Sequence, residues 1–322
     1  MASRRAVGQP GCYSGLVPTL ARMRRRPARR AAKGRPAPAP VPQPADVERS
    51  LYLNVVGIKE RHELERLGVA CYDSETRVQW SYDADSYFHG ASTIKLAVLV
   101  RLFGEITHGR LKADDPVHVR NRFTGAVDGQ PFMLDVASDP DPEIARHVGK
   151  TLTLRELAYR MITASSNLAT NLLIDVVGVP AIQRYLEDLK IEGILMRRGV
   201  QDQAAFEAGV NNLVTAHGLL RLLRLISDGR VHSPEVCADM LEILLDQRYK
   251  SGIPAGLPVD AQVAHKTGSI STVHHDAGIV YIGKRRPFFL VVLTQFAEKR
   301  GRSTAVAEVS RDIFDNLARL TR

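Results

Sequence analysis

The chain has 322 residues, 44% of them hydrophobic and 25% charged, which is typical of a globular protein and excludes an intrinsically disordered one. Basic residues exceed acidic ones by nine, but residues 1–50 alone hold 11 basic and 2 acidic residues, so the rest of the chain is formally neutral. The folded part therefore offers no electrostatic reason to expect a nucleic acid as a partner. No apolar run approaches the roughly 18 residues that a membrane-spanning helix needs, so we expect no membrane span.

Residues 1–45 predict a disordered basic tail. Arginines cluster over residues 22–30, and every second residue over 36–44 is proline, a composition that opposes both helix formation and core packing. An export signal that begins with the twin arginines Arg4 and Arg5 is the alternative. Glycines and prolines interrupt the apolar stretch that such a signal requires, so the sequence shows no clear signal peptide.

The next part of the chain predicts a helix, a hairpin and a second helix. Apolar residues recur at helical spacing over 46–67, where Gly68 marks the helix end. Strand-forming residues over 69–72 and 77–82 predict a hairpin. The apolar stretch over 92–106 is too long for a typical strand and predicts a buried helix.

The rest of the chain predicts a helical region followed by strands. A segment rich in glycine and proline, residues 121–150, precedes helical patterns that dominate 152–245. Three strands and a final helix over 303–320 follow; the strands are expected at 262–269, 277–282 and 288–295. The polar sequence His274-His275-Asp276 between the first two strands predicts a turn, and the alternative is that it lines a ligand-binding cleft. Strands at both chain ends with helices between them predict an α/β fold with one sheet, an α/β sheet domain from 46–110 and 250–322, and an inserted helical domain from 111–249.

Ser92 and Lys95 form the only Ser-x-x-Lys sequence of the chain, at the start of the predicted buried helix. Positions i and i+3 share a helix face, so the Lys95 amine can approach the Ser92 hydroxyl. Desolvation of a lysine on an apolar helix lowers its pKa, and a neutral amine could then activate Ser92 as a nucleophile. The alternative is that Ser92 caps the helix and Lys95 extends to solvent, and the four residues alone do not decide between the two.

Two further short motifs have a similar ambiguity. Ser165-Ser166-Asn167 is the only Ser-x-Asn sequence, and its hydroxyl and amide could relay a proton and bind a substrate or simply cap a turn. Lys266-Thr267-Gly268 lies on a predicted strand, where it could provide a cation, a hydroxyl and room for a ligand, or only a solvated lysine.

The three motifs in this order resemble the penicillin-recognising serine enzymes, which comprise class A β-lactamases, D-alanyl-D-alanine peptidases and penicillin-binding proteins. The sequences around the first two motifs, Phe88–Lys95 and Met161–Ile174, are also similar to class A enzymes. The resemblance covers the chain from about residue 46 to its end. It implies a class A fold, in which an antiparallel sheet from both chain ends is flanked by helices and carries an inserted all-helical domain.

The resemblance also implies roles for individual residues. Ser92 is expected to be the acylated nucleophile and Lys95 its proton acceptor, and Ser165 is expected to relay a proton to the leaving nitrogen. Asn167 is expected to bind the substrate amide. Lys266 and Thr267 are expected to face the substrate carboxylate, and the backbone N–H groups of Ser92 and Ser269 to form the oxyanion hole. Gly268 is expected to belong to the same substrate-binding strand.

The sequence departs from the class A pattern in three places. Ser166 replaces the usual aspartate of the second motif, and the segment 121–150 lengthens the gap before it. The glutamate that acts as the deacylation base in class A enzymes is missing, because the corresponding loop carries Gln201, whose amide accepts no proton at neutral pH. Asp202 and Glu207 are the candidate substitutes.

The resemblance implies a β-lactam-hydrolysing serine enzyme. The alternatives are a D-Ala-D-Ala peptidase or esterase, and a non-hydrolytic penicillin-binding or sensor protein. The expected partner is a small β-lactam or a peptidoglycan-derived molecule, and the chain is expected to act as a monomer in the periplasm or after secretion. No nucleotide-binding loop is present, so no cofactor is implied. The odd number and wide spacing of Cys12, Cys71 and Cys237 predict neither a disulfide nor a metal site.

Overall fold

The computed structural model describes residues 44–297 and 303–320. The predicted tail at 1–45 lies outside the described residues except for its last two positions. The described helices are α1 (Pro44–Arg61), α2 (Lys95–Thr107), α3 (Leu154–Thr163), α4 (Asn167–Val177), α5 (Val179–Asp188), α6 (Gln203–Glu207), α7 (Ala216–Ser227), α8 (Pro234–Leu245) and α9 (Ala305–Leu320). None of these helices combines the length and the apolar character that a bilayer-spanning segment requires.

A five-stranded antiparallel sheet contains the long strands, and shorter strands pair in three small sheets. The strands are β1 (Leu64–Asp73), β2 (Gln79–Tyr82), β3 (Phe88–His89), β4 (Pro116–His118), β5 (Phe123–Thr124), β6 (Pro131–Phe132), β7 (Thr151–Thr153), β8 (Ile194–Leu195), β9 (Leu213–Val214), β10 (Gln262–Ile270), β11 (Val273–Tyr281) and β12 (Phe288–Phe296). The order in the large sheet is β10-β11-β12-β1-β2. The sheet therefore joins strands from both ends of the folded chain, as the sequence predicts.

Both faces of this sheet are buried, and the alternation along β12 shows why. Phe289, Val291 and Leu293 belong to the apolar cluster that also contains α2 and the other central helices. Phe288, Leu290 and Val292 point the opposite way and pack in a second cluster with α1 and α9. Because side chains alternate across a strand, a nearly continuous apolar run is what a strand between two helical layers requires.

The first predicted helix is too long. It was expected over 46–67, but α1 ends at Arg61, and Glu63 has a φ of +49°, which interrupts a right-handed helix. Leu64 and Leu67 instead pair with β12 as part of β1. The apolar spacing of this segment is compatible with either element, and pairing with the sheet decides between them.

The strand expected at 277–282 also differs from the structure, because it begins earlier, at Val273. The polar sequence His274-His275-Asp276 was interpreted as a turn before a strand at 277–282, and this interpretation is wrong. The three residues lie within β11, and the side chains of His275 and Asp276 have no exposed surface. Their hydrogen bonds replace the solvent that polar residues normally need.

The segment 121–150 contains the pair β5–β6 and two short 3₁₀ turns at Val136–Ser138 and Ile144–His147. The described residues cluster as one compact unit. The division into a sheet domain (46–110 and 250–322) and a helical domain (111–249) stays a prediction. Cys71 and Cys237 are free and buried, and Cys12 lies outside the described residues.

Candidate active site

A 3₁₀ turn at Ala91–Ile94 holds Ser92 at the entrance to α2. Ser92 is partly exposed, and its hydroxyl makes no hydrogen bond to any residue within 44–297 or 303–320. Lys95, the first residue of α2, is completely buried. The backbone therefore places a free hydroxyl at the protein surface and a buried amine one helical turn further along.

The amine of Lys95 is held by the second motif. Lys95 Nζ donates to the Ser165 carbonyl at 2.6 Å and to Asn167 Oδ1 at 2.9 Å. Longer contacts of 3.3 Å join Nζ to Ser165 Oγ and to the Ser166 carbonyl. Desolvation is the main cause that lowers the Lys95 pKa well below its usual value, the positive charge of Lys266 lowers it further, and Asp139 opposes both. Burial and the neighbouring ammonium thus favour the neutral form of the Lys95 amine.

Ser165 lies between two lysines. Its φ of +61° is unusual for a residue with a side chain, and such strain is often found at functional sites. Lys266 Nζ donates to Ser165 Oγ at 3.1 Å and to the Thr267 carbonyl at 3.0 Å. Burial lowers the pKa of Lys266 to about 7, and the negative charge of Asp276 works in the opposite direction. The structure therefore brings the predicted residues Lys95, Ser165, Asn167 and Lys266 into one connected group.

The strand β10 packs directly against the turn that carries Ser92. A Cβ atom on Gly268 would lie 3.0 Å from Thr93 Cγ2 and 3.2 Å from the Ser92 nitrogen. Gly268 was expected to leave room for a ligand, but its nearest neighbours are atoms of this turn. Of the adjacent strand residues, Thr267 is almost buried and Ser269 lines the cleft described next.

A cleft of about 340 Å³ opens above Ser92. Asn167 and Ser269 line it together with Ser92, and the loop that follows β8 supplies Val200, Gln201 and Asp202. Further lining side chains are His89, Arg198, Gln203, Phe206, Asn212, Ile270 and Ser271. The cleft is thus bordered by Ser92 and Asn167 of the first two motifs, by Ser269 directly after the third, and by the loop in which a deacylation base was expected, whereas Lys95, Ser165 and Lys266 lie beneath its surface.

The two candidate bases differ in their placement. Asp202 is the only carboxylate among the described residues that line the cleft, but it is buried and both of its oxygens accept backbone hydrogen bonds. One oxygen accepts from Ala126 at 2.8 Å, and the other caps α6 at Ala205. Glu207 is exposed at the end of α6, where it accepts a hydrogen bond from Gln203, and it does not line the cleft.

A buried histidine ties the nucleophile segment to the sheet. His275 Nδ1 accepts the Thr294 backbone N–H at 3.1 Å, so Nε2 carries the proton and donates to the His89 carbonyl at 3.0 Å. Burial is the main cause that lowers the His275 pKa to about 4. The imidazole is therefore neutral at physiological pH and holds the chain three residues before Ser92.

We expect His275 to make the protein less stable in weak acid. The imidazole of His275 binds a proton near pH 6.5 in the unfolded chain but only near pH 4 in the folded chain. The free energy of unfolding therefore falls as the pH drops through this window. The contribution of His275 over the full window is about 3 kcal/mol. Urea unfolding between pH 4 and 7 measures it, with His275→Gln as the comparison. If the free energy of unfolding of His275→Gln depended on pH in the same way, the effect would not come from His275.

Comparison with known proteins identifies the family of this chain. A profile of the Beta-lactamase enzyme family matches residues 53–317, which is most of the chain and contains all three motifs. The chain belongs to this family. The family match agrees with the fold, because the antiparallel sheet from both chain ends and the helices around it are found in class A β-lactamase structures.

Individual members of the family are distant in sequence. A β-lactamase from Streptomyces fradiae is 26% identical over an alignment that covers 99% of this chain and 95% of that protein. A β-lactamase from Bacteroides uniformis is 28% identical over 178 residues, and the match spans 60% of that protein's length. The structure of PBP-A superimposes with a TM-score of 0.73 at 22% identity, covering 84% of this chain and 96% of PBP-A. A leucine-to-glutamate variant of PBP-A has been solved as an acyl-enzyme complex with penicillin G.

Sequence reasoning missed two residues that shape the β-lactamase-like site. Asp139 lies in the segment 121–150 and accepts hydrogen bonds from the start of α4, and His275 was assigned to a turn. Neither belongs to a short motif. The available signals were a carboxylate in an otherwise unexplained insertion and a polar triplet between two apolar strands.

Proposed function

We propose that this protein hydrolyses β-lactam amides through an acyl-enzyme formed on Ser92. The observation that carries the proposal is the buried Lys95 amine, which contacts Ser165 and Asn167 and lies one helical turn after the free Ser92 hydroxyl. A nucleophile that lines the cleft, with a base of lowered pKa and a second hydroxyl buried behind it, forms the arrangement that nucleophilic acyl transfer requires.

Acylation proceeds by transfer of the lactam acyl group to the serine. Ser92 Oγ attacks the lactam carbonyl carbon, and the neutral Lys95 amine takes the hydroxyl proton. The C–N bond of the resulting tetrahedral intermediate breaks, and Ser165 Oγ delivers a proton to the departing nitrogen while it receives one from Lys95. The contacts of Ser165 Oγ with both lysines support this relay. The product is an ester on Ser92 that carries the opened ring.

The remaining motif residues bind the substrate. We assign Lys266 and the Thr267 hydroxyl to the substrate carboxylate, and the Asn167 amide to the side-chain amide of the substrate. The N–H groups of Ser92 and Ser269 are the proposed donors to the oxyanion, and Gly268 keeps the strand close to the nucleophile.

Deacylation is the step for which the cleft is least equipped. Water must attack the Ser92 ester, and a general base typically accelerates such a step by about 10²–10⁴-fold. The Asp202 carboxylate is occupied by two backbone N–H groups, and Gln201 accepts no proton. This observation favours a second candidate function, in which the protein binds penicillin covalently and releases it slowly, or acts on a D-Ala-D-Ala peptide or an ester.

Hydrolysis of penicillin G, measured as the formation of penicilloate, tests the proposal. Many product molecules per protein molecule support a β-lactamase. One product equivalent in a burst, followed by a very slow phase, supports the penicillin-binding alternative. The absence of both product and burst contradicts acylation by β-lactams and leaves the peptidase or esterase alternative, which turnover of a D-Ala-D-Ala peptide or a small ester would identify.

A carboxylate at position 201 is expected to accelerate deacylation. Gln201→Glu places a potential general base in the cleft, and we expect the release rate of penicilloate to rise about 10-fold or more. Gln203→Glu is the matched control, because it makes the same chemical change at a neighbouring cleft residue on α6. Single-turnover release rates measure the effect. An unchanged rate in the Gln201 variant, or an equal gain in both, would contradict the placement.

We infer from the family that the protein acts as a monomer on small β-lactam or peptidoglycan-derived molecules, outside the cytoplasm. Light scattering during size-exclusion chromatography tests the oligomeric state. Fractionation of the producing cells tests the location, and activity confined to the cytoplasm would contradict it.

A further inference from the structure

The carboxylate of Asp139 covers the start of α4. Asp139 is 8% exposed, and its Oδ2 accepts the backbone N–H groups of Asn167 and Leu168, both at 2.9 Å. The next N–H of the helix, that of Ala169, is bound by the Ser166 hydroxyl at 3.1 Å. The free N–H groups of a helix start and its dipole favour a negative charge at this position.

This contact connects two departures of the sequence. Ser166 stands where the resemblance leads one to expect an aspartate, and Asp139 lies in the segment that lengthens the gap before the motif. The Ser166 side chain binds a single N–H group and carries no charge. The segment 121–150 thus brings a carboxylate to the helix start that the motif itself no longer provides.

The helix start is directly linked to the proposed base. Asn167 donates its backbone N–H to Asp139 and accepts a hydrogen bond from Lys95 at its side-chain Oδ1. The same short loop carries Ser165, whose carbonyl is the nearest acceptor of the Lys95 amine. A shift of the α4 N-terminus would therefore move three of the groups that hold Lys95, namely Ser165, Ser166 and Asn167.

We propose that Asp139 is a positioning residue for acylation, which holds the start of α4 against Lys95 and supplies the negative charge that this buried amine otherwise lacks. The inference rests on the proposed acylation of Ser92. Asp139 is assigned no contact with the substrate.

The charges around Lys95 agree with this role. Burial lowers the pKa of Lys95, the ammonium of Lys266 on β10 lowers it too, and Asp139 is the carboxylate that raises it. The contacts from the α3–α4 loop come from Ser165, Ser166 and Asn167, which are uncharged. Removal of the Asp139 charge is therefore expected to keep the amine neutral down to a lower pH.

The pH profile of acylation tests the proposal. The acylation rate of Ser92 by penicillin G is measured between pH 4 and 8 for the full chain and for Asp139→Asn. We expect the acidic limb of the profile to move to lower pH and the plateau rate to fall about 10-fold, since misplaced catalytic groups slow a reaction strongly.

Asp141→Asn is the matched control. Asp141 lies two residues away and is also buried, and its carboxylate accepts from Arg160 on α3 at 2.7 Å and from the Glu143 N–H at 3.2 Å, with no hydrogen bond to α4 within the described residues. If Asp139→Asn only loosened the segment, it should resemble this control, with a lower melting temperature and an unchanged acidic limb of the acylation profile. The same limb position in Asp139→Asn and in the unmodified protein would overturn the proposal, whereas no acylation of the unmodified protein at any pH would overturn the proposed function instead.

A second variant keeps the test decisive if Asp139→Asn folds poorly. Ser166→Asp, combined with Asp139→Asn, returns a carboxylate to the N-cap of α4, where aspartate is a favoured residue. We expect the double variant to regain most of the plateau rate and to return the acidic limb towards its original position. A double variant that folds, as judged by circular dichroism, but shows neither change would contradict the proposal.

Discussion

Replacement of Ser92 by alanine is expected to lower kcat/KM for penicillin G by about 10⁴-fold or more, because loss of a nucleophile removes the covalent pathway. The expected loss does not reflect unfolding, since the Ser92 hydroxyl makes no hydrogen bond within the described residues. Steady-state hydrolysis together with the melting temperature measures both effects.

Ser271→Ala is the control for this substitution. Ser271 is an exposed serine that lines the same cleft, and no catalytic role is assigned to it. We expect this variant to keep the activity of the unmodified protein. Hydrolysis by Ser92→Ala at a rate within tenfold of the unmodified protein would contradict the mechanism, because no other nucleophile is assigned.

Substitution of Lys95 is expected to be nearly as damaging. Lys95→Met retains the length of the side chain but removes the proton acceptor, and we expect acylation to slow by about 10³–10⁴-fold. Lys95→Arg separates proton transfer from charge, because a guanidinium keeps the positive charge but does not release its proton in proteins. It should therefore be as inactive as Lys95→Met.

Acylation rates by stopped-flow spectroscopy measure the Lys95 variants. Lys284→Met is the control, since Lys284 is an exposed lysine far along the chain in the turn between β11 and β12. If Lys95→Arg kept more than about a tenth of the original acylation rate, a positive charge at position 95 would be sufficient for the reaction, which would contradict the role of a neutral amine.

Much of the site could be predicted because its chemistry lies in short segments. Ser92 and Lys95 are one turn apart on continuous backbone, so their placement next to each other follows from local geometry alone, although the described hydrogen bonds of the Lys95 amine go to Ser165, Ser166 and Asn167. The approach of Lys95 to Ser165 and of Lys266 to the same hydroxyl needs three distant segments to meet. No periodicity encodes that meeting, and the order of the motifs indicated it only through the family resemblance.

The fold was predictable where periodicity and burial agree. The continuous apolar run of β12 and the helical patterns between residues 152 and 245 correspond to observed elements. The start of β1 and the first half of β11 were mistaken because local pattern and tertiary environment disagree. Leu64 follows a helix at helical spacing but pairs with β12, and His275 is a polar residue whose partners, the backbones of His89 and Thr294, are distant in sequence.

Asp139 shows that prediction from the sequence is limited in the same way for the functional site. Its two acceptor contacts with α4 join residues 28 and 29 positions apart, and nothing in the insertion marks this carboxylate among its acidic neighbours. Only the three-dimensional structure shows which aspartate of the segment reaches the helix start.

The intact mass of the protein after mixing with penicillin G tests the central claim most directly. We expect an increase by the mass of one penicillin molecule within the first turnover, located by peptide mapping on Ser92 and absent from Ser92→Ala. An adduct on another residue, or an equal adduct on Ser92→Ala, would contradict the claim that this cleft works through a Ser92 acyl-enzyme.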